Sequence, residues 1–185
     1  IARKIDIHLH ATKFDGHILD LVVDYVTCVM VPVAMLIRLD LVKSNYSWIY
    51  VGLIIFTGAL WFARTDQETE DHWFNGFPAA WNLVIPTFLI LGTRESYIQI
   101  TILVLSFLSL TKLKFPHLVK VTFLRPLTWA LAIVYFVALT LLSTKYPDGP
   151  AYLKPILVLF PIYIFGISIF HSWKVRESSV NSSND

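Results

Sequence analysis

Gly16-His17-Ile18-Leu19-Asp20-Leu21-Val22-Val23-Asp24-Tyr25-Val26-Thr27-Cys28-Val29-Met30-Val31-Pro32 decides the fold, because an apolar run of membrane-spanning character carries two carboxylates near one end. A helix crossing the hydrocarbon core needs ~20 mainly apolar residues, and this run continues to Ile37. An Asp at the centre of such a helix costs ~2.5–3.5 kcal/mol on insertion scales and less near the interface, so carboxylates there face a bundle interior or a watery cavity. Spacing of four stacks Gly16, Asp20 and Asp24 on one helical face. The two carboxylates repel unless a cation or a shared proton lies between them. Oxygen-only donors suit Mg²⁺ or Mn²⁺ better than zinc. Spacing alone leaves two readings open: a metal-binding pair, or a structural pair that meets Arg3 or Lys13 and lines a polar seam.

Outward from this run the chain repeats its character. Of 185 residues, 56% are hydrophobic and 15% charged, and the mean hydropathy is +0.62, values that exclude an ordinary soluble domain. Six segments approach spanning length, at 16–37, 47–64, 79–93, 96–113, 126–144 and 151–172. Polar or Pro/Gly-marked breaks separate them, such as Thr65 to Gly76, Arg94-Glu95, Lys112 to Arg125 and Pro147-Asp148-Gly149-Pro150. The expected fold is therefore an all-α polytopic transmembrane helix bundle. Residues 1–172 form its membrane-embedded domain and 173–185 a polar C-terminal tail that is expected to be disordered from Ser178. A single cysteine, Cys28, excludes an intramolecular disulfide. The net charge of +2 is too small, and the basic residues too dispersed, to point to nucleic acid.

Alternating the loops between two sides assigns ten Lys and Arg to one and five to the other. The richer side holds the N-terminal segment, loops 64–78 and 112–125 and the C-terminal tail. The positive-inside rule makes that side cytoplasmic, and with it the Asp20/Asp24 end of the first span.

Ala2-Arg3 followed by Gly16-x-x-x-Asp20-x-x-x-Asp24 resembles the second half of the CDP-alcohol phosphatidyltransferase signature. The first half of that signature, with its own aspartates, would lie upstream, so one or two further helices are expected there, and the chain as given is expected to be inactive alone. The gap from Arg3 to Gly16 is twelve residues, longer than is usual in the superfamily. With Phe74-Asn75-Gly76-Phe77-Pro78-Ala79-Ala80-Trp81-Asn82 and Lys114-Phe115-Pro116-His117 to Arg125-Pro126-Leu127, the chain looks most like the bacterial phosphatidylcholine synthase branch. The resemblance implies an integral enzyme of the bacterial inner membrane that transfers the phosphatidyl group of CDP-diacylglycerol to choline and releases CMP. It also implies roles: Asp20 as a metal ligand, Asp24 as general base and second metal ligand, and Ala2, Arg3 and Gly16 at CDP-diacylglycerol. The implied cofactor is a divalent metal, Mn²⁺ or Mg²⁺. The partners are CDP-diacylglycerol, choline and the lipid bilayer, with no nucleic acid, and a homodimer stays open.

Choline presents a quaternary ammonium with no donor on nitrogen, so aromatic faces and negative charge recognise it. Loop 64–82 supplies both kinds of group, and Asp71, Trp73, Phe77 and Trp81 are the candidate choline-binding residues. Aromatic rings at a membrane boundary also serve as an interfacial belt. Lys112, Lys114, His117, Lys120 and Arg125 suit cytidine phosphates or anionic headgroups equally. Two other functions compete. A sister phosphatidyltransferase with an anionic acceptor would want cationic groups where this chain places acids. A cation-coupled transporter would want ionisable residues in several spans, and the other five offer almost none.

Overall fold

Helix dominates the chain, and the computed structural model describes residues 15–43 and 45–181, the side chains of 176–181 excepted. The first span, Gly16–Arg38, is two α-helices, α1 (Gly16–Tyr25) and α2 (Val31–Arg38), joined by a π-helical turn at Val26–Met30. Five more helices follow: α3 (Ser47–Phe62), α4 (Trp81–Leu91), α5 (Glu95–Ser109), α6 (Arg125–Thr144) and α7 (Ile156–Asn181). Three helical stretches are long and apolar enough to cross a membrane, Gly16–Arg38, Arg125–Thr144 and Ala151–Val175, while α3, α4 and α5 are shorter apolar helices. The six-segment reading of the sequence is matched by six helical segments among the described residues, three of them of spanning length, consistent with an all-α membrane bundle.

Helix ends have local causes. Asp15 caps α1, its carboxylate accepting from the backbone N–H groups of His17 at 2.8 Å and Ile18 at 3.2 Å. The π turn falls just ahead of Pro32, whose ring would press on the carbonyl of Cys28 in a regular helix. The turn relieves this by wider bonding, and the N–H of Val31 donates to Val26 O. Helix α4 begins at Trp81, because Phe77 N–H donates to Leu108 O and Ala79 N–H to Phe77 O, holding residues 77–79 out of the helix. Gly92, at φ +61°, ends it. Helix α7 runs to Asn181, nine residues past the boundary expected at 172.

The core has two parts. Val29, Ile54, Trp81, Ile85, Ile98 and Ile102 belong to a cluster of the first five helices, and Tyr135, Leu142, Leu157 and Phe160 to a second between α6 and α7. Gly58 lets α3 close on the π turn, since a Cβ there would lie 2.9 Å from Val29 Cγ2. Small residues permit such approach where apolar burial gives helices no reason to leave lipid.

At one end of the bundle, loops 64–78 and 112–125 meet. Strands β1 (Trp73–Asn75) and β2 (Lys114–Pro116) pair antiparallel, with Phe74 opposite Phe115. The Lys114 N–H donates to Ser172 Oγ of α7 at 2.8 Å. Two loops and a helix end that the alternation put on one side are thus physically joined.

Candidate active site

Helix α1 presents Asp20 and Asp24 one turn apart, a rise of ~6 Å, and both side chains are exposed. Tyr25 fixes the setting of the helix: its hydroxyl donates to Ile55 O at 3.0 Å and its ring meets Phe62 edge-on at 5.9 Å. With Tyr25 turned to α3, Asp24 lies ~100° around the helix and Asp20 shares its stripe. The same contact sets polarity, because Tyr25 lies beside the C-terminal part of α3. Gly16, Asp20 and Asp24 therefore lie toward the end where the paired loops sit. Gly16 opens the helix, and a Cβ there would meet nothing within 4 Å.

Neither carboxylate receives a side-chain hydrogen bond or an ion pair among the described residues. Ala2 and Arg3 lie outside the described residues, as does Lys13. Two uncommitted carboxylates on one helical face fit a hard divalent cation by donor type and spacing. They supply part of a shell, since no group of three or more His, Cys, Asp and Glu side chains able to hold a metal occurs among the described residues. Beside the pair, Thr27 Oγ1 donates to Val23 O at 2.9 Å, within the wall of the π turn. That turn had a sequence signal in Pro32, but hydropathy does not show it.

The joined loops are built on residues to which sequence reading gave no structural role. Arg64 Nη1 donates to three carbonyls, Asn75 O, Ser109 O and Thr111 O, at 3.2, 3.2 and 3.0 Å. Its Nε and Nη2 clasp Asp66 at 2.8 and 3.0 Å. That hydrogen bond holds the Asp66 carboxyl below the ordinary carboxylate range and favours the protonated guanidinium. Asn75 accepts from Trp61 Nε1 on its carbonyl at 3.0 Å, accepts from Lys114 Nζ on Oδ1 at 2.6 Å and donates to Asp66 O. Burial lowers the Lys114 ammonium, against the raising effect of Asp71 and Asp66. Gly76, at φ +82°, sits where a Cβ would lie 2.6 Å from Ser109 O. The Asn75-Gly76 part of the phrase that carried the resemblance is thus an architectural joint.

This joint changes the picture of the four candidate choline-binding residues. Phe77 and Trp81 are buried in the first core cluster and pack edge-on at 5.5 Å. Trp73 is 2% exposed and stacks on His171 at 3.8 Å. Asp71 is exposed, accepts from Thr69 Oγ1 at 2.6 Å and lies 3.3 Å from His171 Nε2. The structure does not assemble the four into a cage, because burial in the joint already occupies the rings. The basic residues Lys120, His117 and Arg125 are likewise engaged. Lys120 Nζ reaches both Glu68 oxygens at 2.9 Å, His117 stacks on Phe74 at 5.1 Å, and Arg125 lies over the Trp129 ring at 5.1 Å. A polar hollow of about 530 Å³ opens beside them, lined by Asp66, Glu68, Glu70, Asp71, Lys114 and His171 among others.

No family model matches the chain, and no solved structure matches it. Curated relatives do. A phosphatidylcholine synthase of Pseudomonas aeruginosa is 32% identical over 172 residues, 93% of this chain and 72% of that protein. One of Brucella melitensis is 30% identical over 168 residues, 90% of this chain and 60% of that protein. One of Borreliella burgdorferi is 26% identical over 179 residues, 96% of this chain and 76% of that protein. The chain thus spans between 60% and 76% of these relatives' lengths. With 72% of the Pseudomonas protein covered at 32% identity, and with an apolar helix bundle that carries Gly16, Asp20 and Asp24 on its first span, the chain belongs to the phosphatidylcholine synthase family.

Proposed function

We propose that the protein transfers the phosphatidyl group of CDP-diacylglycerol to choline and releases CMP. The observation that carries this reading is the carboxylate pair, Asp20 and Asp24, on an exposed face of α1 and without a side-chain partner among the described residues. Arg64, Asp66, Glu68, Asp71 and Lys120 at this end of the bundle are held by partners, whereas the pair offers two ligands without a side-chain partner among the described residues.

In the proposed reaction Asp24 takes the proton of the choline hydroxyl as the oxygen forms its bond to the lipid-bearing phosphorus. The bond from that phosphorus to the bridging oxygen of the pyrophosphate breaks, and CMP leaves with the electron pair. A divalent ion, Mn²⁺ or Mg²⁺, supplies neutralisation of pyrophosphate charge when bound, and Asp20 and Asp24 would hold it. Asp20, with no second task, stays a ligand. Gly16 leaves the start of the helix open to the nucleotide, and Arg3 and Ala2, outside the described residues, would complete that side. An exposed carboxylate with no competing donor is suited to accept a proton and to pass it to water.

The acceptor is a cation, and the carboxylates of loop 64–78 give that end of the molecule the charge to attract it. The excess of Lys and Arg on the same side supports placing the reaction at the cytoplasmic face of the bacterial inner membrane. Membranes containing the protein, supplied with labelled choline and CDP-diacylglycerol, should form labelled phosphatidylcholine with Mn²⁺ or Mg²⁺ and none with a chelator. Full transfer by an Asp24→Asn protein would overturn the assignment of the base, and transfer to glycerol phosphate or serine in place of choline would overturn the acceptor.

A further inference from the structure

Val29, Val33 and Leu36 fix which side of the first span faces the bundle. All three are buried, and Val29 presses on Gly58 of α3. At ~100° per residue, an uninterrupted helix running back from Val29 would bring Ile18 and Val22 within ~20° of that packed side. Asp24 and Asp20 would then lie ~140° and ~180° around from it, on the side that faces lipid. The structure has a different rotation. Ile18 and Val22 are 58% and 53% exposed, while Leu21 and Tyr25 are the half-buried residues of α1.

The π turn at Val26–Met30 makes the difference. Such a turn takes in one more residue than an α turn, so it rotates α1 by as much as ~100° against α2. Asp24 comes to about 40° and Asp20 to about 80° from the packed side, at the flank of the bundle and still exposed. Two side chains brace the turn from either end. Pro32, at the start of α2, crowds the carbonyl four residues before it. Tyr25 donates its hydroxyl to Ile55 O at 3.0 Å, which holds α1 in the rotated setting. Between them, Thr27 Oγ1 donates to Val23 O at 2.9 Å and to Asp24 O at 3.3 Å, supplying a donor where the backbone ladder widens. Without the braces the apolar stripe of Ile18 and Val22 would take the packed side, and the carboxylates would be left to lipid.

We infer that the π turn, braced by Pro32 and Tyr25, is a positioning element that turns the Asp20 and Asp24 stripe away from lipid and onto the flank of the bundle. Pro32 and Tyr25 are thereby positioning residues, which act on the carboxylates through the rotation of α1. The consequence for transfer rests on the proposed roles of the pair as metal ligands and base. The rotation itself does not.

The test treats the protein in liposomes with a water-soluble or a lipid-soluble carbodiimide, each of which forms adducts on carboxyl groups, and counts the adducts on Asp24 by mass spectrometry. In the unaltered protein Asp24 should react chiefly with the water-soluble reagent. Tyr25→Leu combined with Pro32→Ala removes both braces and lets the helix run uninterrupted, so the preference should invert. Mn²⁺ binding, read from the electron paramagnetic resonance of the free ion, should weaken about tenfold, as when the groups that orient metal ligands are lost. Deleting Thr27 from that double variant takes out the extra residue, so a regular helix carries the carboxylates in the original direction, and both readouts should recover. Damage to packing would deepen with a third change, so recovery is not the behaviour of a merely structural role. All of these proteins should stay folded, because α1 buries no side chain fully. A preference of Asp24 for the lipid-soluble reagent in the unaltered protein, unmoved labelling in the double variant, or no recovery on deletion would each overturn the inference. Inversion and recovery of labelling in a protein that neither binds Mn²⁺ nor transfers to choline would uphold the rotation and overturn the proposed function instead.

Discussion

The carboxylate face of α1 and the loop joint of residues 64–78 and 112–125 lie toward the same end of the bundle and hold most of its charge, yet they use it in opposite ways. In the joint, Arg64 satisfies three carbonyls and one carboxylate, and Asn75 ties Trp61, Lys114 and Asp66. On α1, two carboxylates stand exposed with no side-chain partner among the described residues. Buried polar groups that are fully bonded rigidify a fold, whereas groups that must gain and lose ligands and protons stay uncommitted. The difference separates what builds this end of the molecule from what can react there.

The widest separation should come from exchanging charge for amide on each side. Asp24→Asn is expected to cost ~10²–10⁴-fold in choline transfer, the range of general base catalysis. Its unfolding free energy should stay within ~0.5 kcal/mol of the parent, as for an exposed site with no partner. Gly76→Ala should do the reverse. Positive φ and a Cβ 2.6 Å from Ser109 O predict a loss of ~3 kcal/mol in thermal unfolding, with unchanged metal dependence in the folded fraction. Arg64→Met should cost ~2–3 kcal/mol, since it orphans backbone carbonyls in a half-buried place. Phe77→Leu tests the comparison from the substrate side. A core ring trimmed by this much should lower stability by ~1–2 kcal/mol and move the Michaelis constants for choline and CDP-diacylglycerol alike. A selective rise for choline would show that the ring meets substrate after all.

Legibility followed the range of the interactions. The passes were readable because hydropathy and breaks such as Lys43 to Tyr46 or Pro147 to Pro150 are local signals, and Asp20 and Asp24 stood out because a carboxylate in an apolar run is costly wherever it sits. The joint was not readable. Its strands are three residues long and pair across some forty positions, and Arg64 bonds to residues 75, 109 and 111. Composition shows that Trp73, Phe77 and Trp81 are aromatic, but not that His171 and the core already occupy their faces. That is why a loop rich in acids and rings reads as a cage. The short α4 shows the same limit, because its start at Trp81 is fixed by bonds from residue 77 to residue 108.

The smallest expected effect concerns acid. Glu68 sits between Lys120 and His72, whose ring Nδ1 lies 2.6 Å from its Oε1. Partial burial raises its carboxyl, but the bonds from Lys120 and His72 outweigh that and leave it below the ordinary range. A depressed carboxylate contributes stability that is complete above its unfolded value, ~4.3, and is lost as pH falls through the lower folded value. The pair is partly exposed, so the contribution should stay under ~1 kcal/mol and fade with salt. Thermal unfolding from pH 6 downward should show the joint weakening below about pH 4, and Glu68→Gln should flatten that part of the curve. Asp20 has no side-chain hydrogen bond or ion pair among the described residues and does not touch Glu68, so Asp20→Asn should leave the Glu68-dependent part of that curve in place while it abolishes transfer. A matching flattening in both variants would mean that the two regions are not separate in the way their hydrogen bonds describe.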